Sequence, residues 1–150
     1  MDAVLVPVGD DLYGVPIGWV REVVTRPPLT ELVTAPPQVL GLFNLRGEIV
    51  PLLDTAALVG AGTGGQVAFA VVLETHVGPV GLSATAVPER TLLDALMGPS
   101  ELPGSAGRYR VDRRVAVLLD VEALLDAIAP TPLHRVDAVT GGAGARVGAD

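Results

Sequence analysis

Val39-Leu40-Gly41-Leu42-Phe43-Asn44-Leu45-Arg46-Gly47-Glu48-Ile49-Val50-Pro51-Leu52-Leu53-Asp54 sets two apolar runs on either side of Arg46-Gly47. Branched and aromatic side chains suit a pleated strand, and a short glycine-containing link between two such runs suits a hairpin. The stretch therefore predicts strands over 39–45 and 48–53, joined at Arg46-Gly47. Asp54 ends the second run just before Thr55-Ala56-Ala57-Leu58, which predicts a single helical turn. A carboxylate in that place accepts hydrogen bonds from free N–H groups of the turn, a contribution of about 1 kcal/mol.

Upstream, 3–8 and 12–17 flank Gly9-Asp10-Asp11 and read as another hairpin, with Tyr13, Val15 and Ile17 alternating against Gly14 and Pro16. Residues 19–24 are expected to form a short helix or a bend, ended by Pro27-Pro28. Downstream, the chain replays itself. Val4-Leu5-Val6 is matched by Ala70-Val71-Val72 at an offset of 66, and Tyr13-Gly14-Val15 by Val80-Gly81-Leu82 at 67. Val20 and Glu22 line up with Val87 and Glu89. The longest match sets the ten residues from Ile49 beside those from Val115, again 66 apart, so Asp120 repeats the capping place of Asp54. Pairings in the same order at a nearly constant offset imply two homologous β subdomains, joined near residues 60–66. They would fill residues 1–130. The extension 131–150 is rich in Gly and Ala from 141 onward and is expected to be flexible.

Composition narrows the function. The chain has 150 residues, 49% of them hydrophobic, and is punctuated by 18 glycines and 13 prolines, which suits short strands with many turns. A net charge of -7 opposes phosphate backbones, so no nucleic-acid partner is expected. All ten basic residues are arginine, and without lysine there is neither Schiff-base chemistry nor a P-loop lysine. With no cysteine there is no disulfide and no thiol nucleophile, which fits a reducing cytoplasm. The N-terminus lacks the basic start of a secretory signal, and apolar runs such as 68–73 are too short to cross a bilayer. Any membrane association is expected to come through a partner.

Catalytic and cofactor motifs find no support. Gly60-Ala61-Gly62-Thr63-Gly64-Gly65 matches G-x-G-x-x-G, but it follows a helical turn and precedes a strand-like run. A dinucleotide site needs a strand before it and a helix after it, so a linker is expected. Ser83, Ser100 and Ser105 lie outside any G-x-S-x-G, and His76 and His134 lack ligand spacing. No enzyme activity, metal or cofactor is expected. Two features remain as candidates for contact. Arg108, Arg110, Arg113 and Arg114 form a basic patch on an alternating segment, either a solvated hairpin or a contact for an acidic surface. Trp19, the sole tryptophan, is either an interface anchor or core.

The central stretch resembles the signature of CheW-like domains, G-x-x-N-L-R-G-x-[IV]-[IV]-P-[VIL]-[VIL]-D, read here from Gly41 to Asp54. Upstream, Leu12-Tyr13-Gly14-Val15-Pro16-Ile17 and Val20-Arg21-Glu22-Val23 also resemble the family, as do Ala35-Pro36-Pro37 and the closing strand and helix over 116–125. The chain departs from the family's second-half pattern at Gly81-Leu82-Ser83-Ala84-Thr85-Ala86-Val87, and its Gly-rich region 102–107 shows no family pattern. The resemblance implies a mainly β fold of two intertwined five-stranded barrels, similar to Src-homology-3 barrels, with short helices. It implies a non-enzymatic, cytoplasmic chemotaxis adaptor recruited to membrane-associated receptor arrays. Its expected partners are the regulatory domain of a CheA-type histidine kinase and the signalling tip of a chemoreceptor. The same fold would suit a regulatory domain excised from such a kinase, or an inhibitor bound in the array. By resemblance Val20, Glu22, Gly41 and Arg46 fall at contact positions, with Asn44 in the same motif and Trp19 beside it. Arg46 can grip a partner carboxylate or brace two subdomains internally. Gly41 and Gly47 suit backbone geometry.

Overall fold

Alternating Val, Leu and Ala turn the chain into strands almost from its first residue. The computed structural model describes residues 1–128. In chain order they form β1 (Asp2–Val8), β2 (Asp11–Pro16), β3 (Val20–Thr25), β4 (Val39–Leu45) and β5 (Glu48–Leu53), then α1 (Thr55–Leu58). There follow β6 (Phe69–Thr75), β7 (Gly78–Ala84), β8 (Glu89–Leu92), β9 (Leu96–Gly98), β10 (Ser105–Val111), β11 (Arg114–Leu119) and α2 (Val121–Ile128). Both expected helical turns are capped as the sequence suggests. Asp54 Oδ1 accepts from Ala57 N at 3.3 Å, and Asp120 Oδ1 from Ala123 N at 3.1 Å. The expected extension, 131–150, lies outside the described residues.

The expectation over residues 19–24 is corrected. A 3-10 turn occupies Ile17–Trp19, and the rest is strand β3, paired antiparallel with β6 from Val20↔Leu73 to Thr25↔Phe69. Local pattern hid this, because Val23 points outward at 43% exposure and the partner strand lies far along the chain. Two further strands, β8 and β9, were not legible. The short β9 pairs with β10 across a register shift and adds a sixth strand to one sheet.

Sheet order shows how the halves interlock. One sheet runs β8-β1-β2-β11-β10-β9 and the other β3-β6-β7-β5-β4. Each half therefore gives its first hairpin to the sheet completed by the other half. The crossings obey the repeat: β2 meets β11 in parallel at Gly14↔Leu118, and β7 meets β5 in parallel at Gly81↔Leu52.

Alternation along the strands sorts the core into three clusters. Ala3, Leu5, Leu12, Ala116 and Leu118 fill the first barrel, and Phe43, Val50, Leu52, Ala70 and Val72 fill the second. Between them lies a shared seam that includes Val4, Val6, Tyr13, Leu53, Val71 and Leu82. Successive residues of a strand face opposite sides. The central strands are thus buried on both faces, which is why they read as unbroken apolar runs. A buried hydroxyl pair also ties the halves. Thr55 N donates to Ser83 Oγ at 3.1 Å, and Thr55 Oγ1 donates to Ser83 O at 2.7 Å. Ser83 lies in the segment that departs from the family pattern.

Candidate functional site

The turn between β4 and β5 is built by its own sequence. Arg46 and Gly47 both take positive φ, 50° and 91°, as a two-residue hairpin turn with the twist of its strands requires. Gly47 adopts that geometry without strain, and Asn44 Oδ1 accepts from Gly47 N at 2.9 Å to hold it. Asn44 is thus exposed and fixes the turn that presents Arg46.

From there the Arg46 guanidinium forks onto Glu22 of β3. Nη1 donates to Oε1 at 3.1 Å and Nη2 to Oε2. Neighbouring Arg21 reaches Glu48 Oε1 at 2.7 Å, Glu74 Oε1 at 3.3 Å and Glu22 Oε2 at 3.4 Å. In the sheet, β3 is one edge, and β4 is the other. Pairs from β3 to the β4–β5 turn therefore require the sheet to curl until its ends meet. The Thr30↔Leu42 bridge, with both backbone hydrogen bonds at 2.8 Å, closes the same seam. Arg46 is an internal brace, but within one barrel rather than between the two.

Charge follows geometry. The hydrogen bond from Arg46 holds the Glu22 carboxyl below its ordinary value; desolvation opposes it, and the attraction of Arg46 and Arg21 adds to the lowering. The Arg21 and Arg46 guanidinium groups are pushed up, chiefly by their bonds to Glu48 and Glu22 respectively. A carboxylate whose folded pKa is depressed stabilises the fold above its unfolded value, and that stability is lost as pH falls through the folded value. Wild type is therefore expected to exceed Glu22→Gln slightly in urea midpoint at neutral pH. The gap should close as pH drops below the ordinary carboxylate range. A gap unchanged down to acid pH would remove the ion pair as its cause. The effect is small because exposed pairs are screened.

The other candidates lie elsewhere on these elements. Val20 and Trp19 are partly buried against the shared seam. Gly41 is buried in β4, where a Cβ would stand 2.7 Å from the Thr30 carbonyl oxygen. The structure thus brings Glu22, Asn44 and Arg46 together, and places Val20 and Trp19 against the seam and Gly41 against Thr30. Sequence reasoning missed Arg21, Glu48 and Glu74. Glu48 follows the turn directly and was within reach of inspection, whereas Glu74 joins only through the β3–β6 pairing. Among the described residues there is no cluster of His, Cys, Asp or Glu suited to a metal ion. None of their helices is long and apolar enough to cross a membrane.

A profile of the CheW-like domain matches residues 2–129. A probable chemotaxis protein CheW of Rhizobium etli is 32% identical over 127 residues, covering 78% of this chain and 82% of that protein. The chemotaxis protein CheW of Rhizobium meliloti is 43% identical over a shorter stretch of 53 residues, 35% of this chain and 34% of the relative. Among solved structures, the scaffolding protein TtCheW of Thermoanaerobacter tengcongensis superposes with a TM-score of 0.69 at 25% identity, covering 79% of this chain and 87% of that one. Interlocked sheets, the Asn-Leu-Arg-Gly turn and a match through both barrels agree: the chain belongs to the CheW-like family.

Proposed function

We propose that this chain is a non-catalytic chemotaxis adaptor that works in the cytoplasm. It joins the regulatory domain of a CheA-type histidine kinase to chemoreceptor signalling tips. The observation that carries the reading is the family match through both barrels, residues 2–129. An adaptor of this kind acts by simultaneous binding: one barrel edge takes the kinase domain, and the groove between barrels takes the receptor tip. Arg46 suits contact because its side chain is 63% exposed while already oriented by Glu22. A pre-aimed guanidinium loses less freedom on binding and keeps further N–H donors for a partner oxygen.

Pull-down against the kinase regulatory domain and receptor tips tests this. Wild type is expected to retain both, and a folded Arg46→Glu variant to bind at least one of them about tenfold more weakly. The swap Glu22→Arg with Arg46→Glu restores the internal pair with reversed polarity. Continued weakness in the swap places Arg46 in contact with the partner, whereas recovery makes it a brace alone. Wild type binding neither partner would overturn the adaptor reading.

A further inference from the structure

The repeat supplies an internal comparison for the basic hairpin. Arg46 and Asp112 are 66 positions apart, and both open the turn of their hairpin at positive φ, 50° and 53°. Around the first turn, Arg21 and Arg46 are matched by Glu22, Glu48 and Glu74. The second turn carries Arg108, Arg110, Arg113 and Arg114, all exposed. Among the described residues none of these four forms an ion pair; Arg108 Nε donates to the Pro99 carbonyl at 3.0 Å. The same framework is neutralised from within on one barrel and left open on the other.

Register decides what surrounds those charges. Arg108 pairs with Val117 and Arg110 with Val115, so these four share one face of the β10–β11 hairpin. Tyr109 and Ala116 take the opposite face, toward the first barrel's core. Val115 is 42% exposed. With Val117, Leu12, Tyr13 and Leu102 it lines a groove of about 320 Å³ that has Asp11 at its rim.

We propose that this face docks an acidic polypeptide segment whose carboxylates meet Arg110 and the turn residue Arg113 while an apolar side chain enters the groove. Charge complementarity selects acid, since guanidinium forks grip carboxylates in pairs. The net charge of -7 opposes a broad anionic surface such as a bilayer or a duplex. A short peptide confines its charge to the hairpin, and the groove gives it an apolar anchor.

The test is fluorescence anisotropy with a labelled peptide of alternating glutamate and leucine, and its glutamine–leucine analogue as control. Wild type is expected to bind the acidic peptide, less tightly as salt rises, and to ignore the analogue. Arg110→Glu with Arg113→Glu is expected to weaken binding by at least about tenfold, while Arg90→Glu in the same sheet leaves it unchanged. Circular dichroism checks folding. If the double reversal unfolds, Arg113→Gln replaces it with weaker binding expected. Equal binding by the hairpin variants, equal binding of the analogue, or capture of phosphatidylglycerol vesicles in place of the peptide would each overturn the proposal.

Discussion

Expressed apart, residues 1–63 and 64–150 remain unfolded. The first piece holds β1 and β2, whose pairing strands β8 and β11 belong to the second, and β3, whose partner is β6. It would keep only the β1–β2 and β4–β5 hairpins, and isolated hairpins are at best marginal in water. The seam residues Val4, Val6 and Tyr13 would lose Val71, Leu73 and Leu82. Amide proton NMR of each piece is expected to show the narrow dispersion of a disordered chain. Mixing the two should restore the dispersed spectrum of the intact protein, since the loop between them belongs to no strand. A dispersed spectrum from either piece alone would show that the barrels fold independently.

Replacing Gly41 with Val is expected to destabilise the protein by about 3 kcal/mol, a value typical of overpacking combined with lost hydrogen bonds. Valine favours strands, so propensity acts against the loss and the clash is what the experiment reads. The added Cβ would lie 2.7 Å from Thr30 O and 3.2 Å from Thr30 C, both backbone atoms that no rotamer change can move. Relief requires parting Thr30 from Leu42, which breaks the bridge that closes the barrel. At this chain length the melting temperature should fall by about 10 °C. A midpoint within a degree of wild type would mean that the strand end yields freely. Any loss of partner binding in a Gly41 variant then has to be separated from this loss of fold.

Features carried by neighbours in sequence were readable in advance. The β4–β5 hairpin, both Asp caps and the subdomain repeat each follow from residues a few positions apart or from a constant offset. The glycine-rich loop was legible for the same reason: it leads from α1 to β6 and opens no helix. What failed to show depended on distant pairing. Strand β3 owes its conformation to β6, and its outward Val23 blurs the alternation that marks a half-buried strand. The repeat implied two barrels but not which strands each would exchange. The charged cluster was half visible. Glu22 and Arg46 entered through family resemblance, while Arg21 and Glu74 meet only after the sheet forms, 53 residues apart.

The seam that buries Val6, Val15, Leu53 and Val71 also fixes an angle. Two barrels joined by a flexible tether would let whatever each one holds drift relative to the other. Here five central strands, β1, β2, β5, β6 and β11, serve a barrel on one face and the seam on the other, so hinge motion would expose the interior of both. On the proposed function, proteins bound to the two barrels would be set at one distance and one orientation. In the extended assembly that the proposed function implies, such a chain would be a rigid corner piece, with the spacing written into its hydrophobic packing.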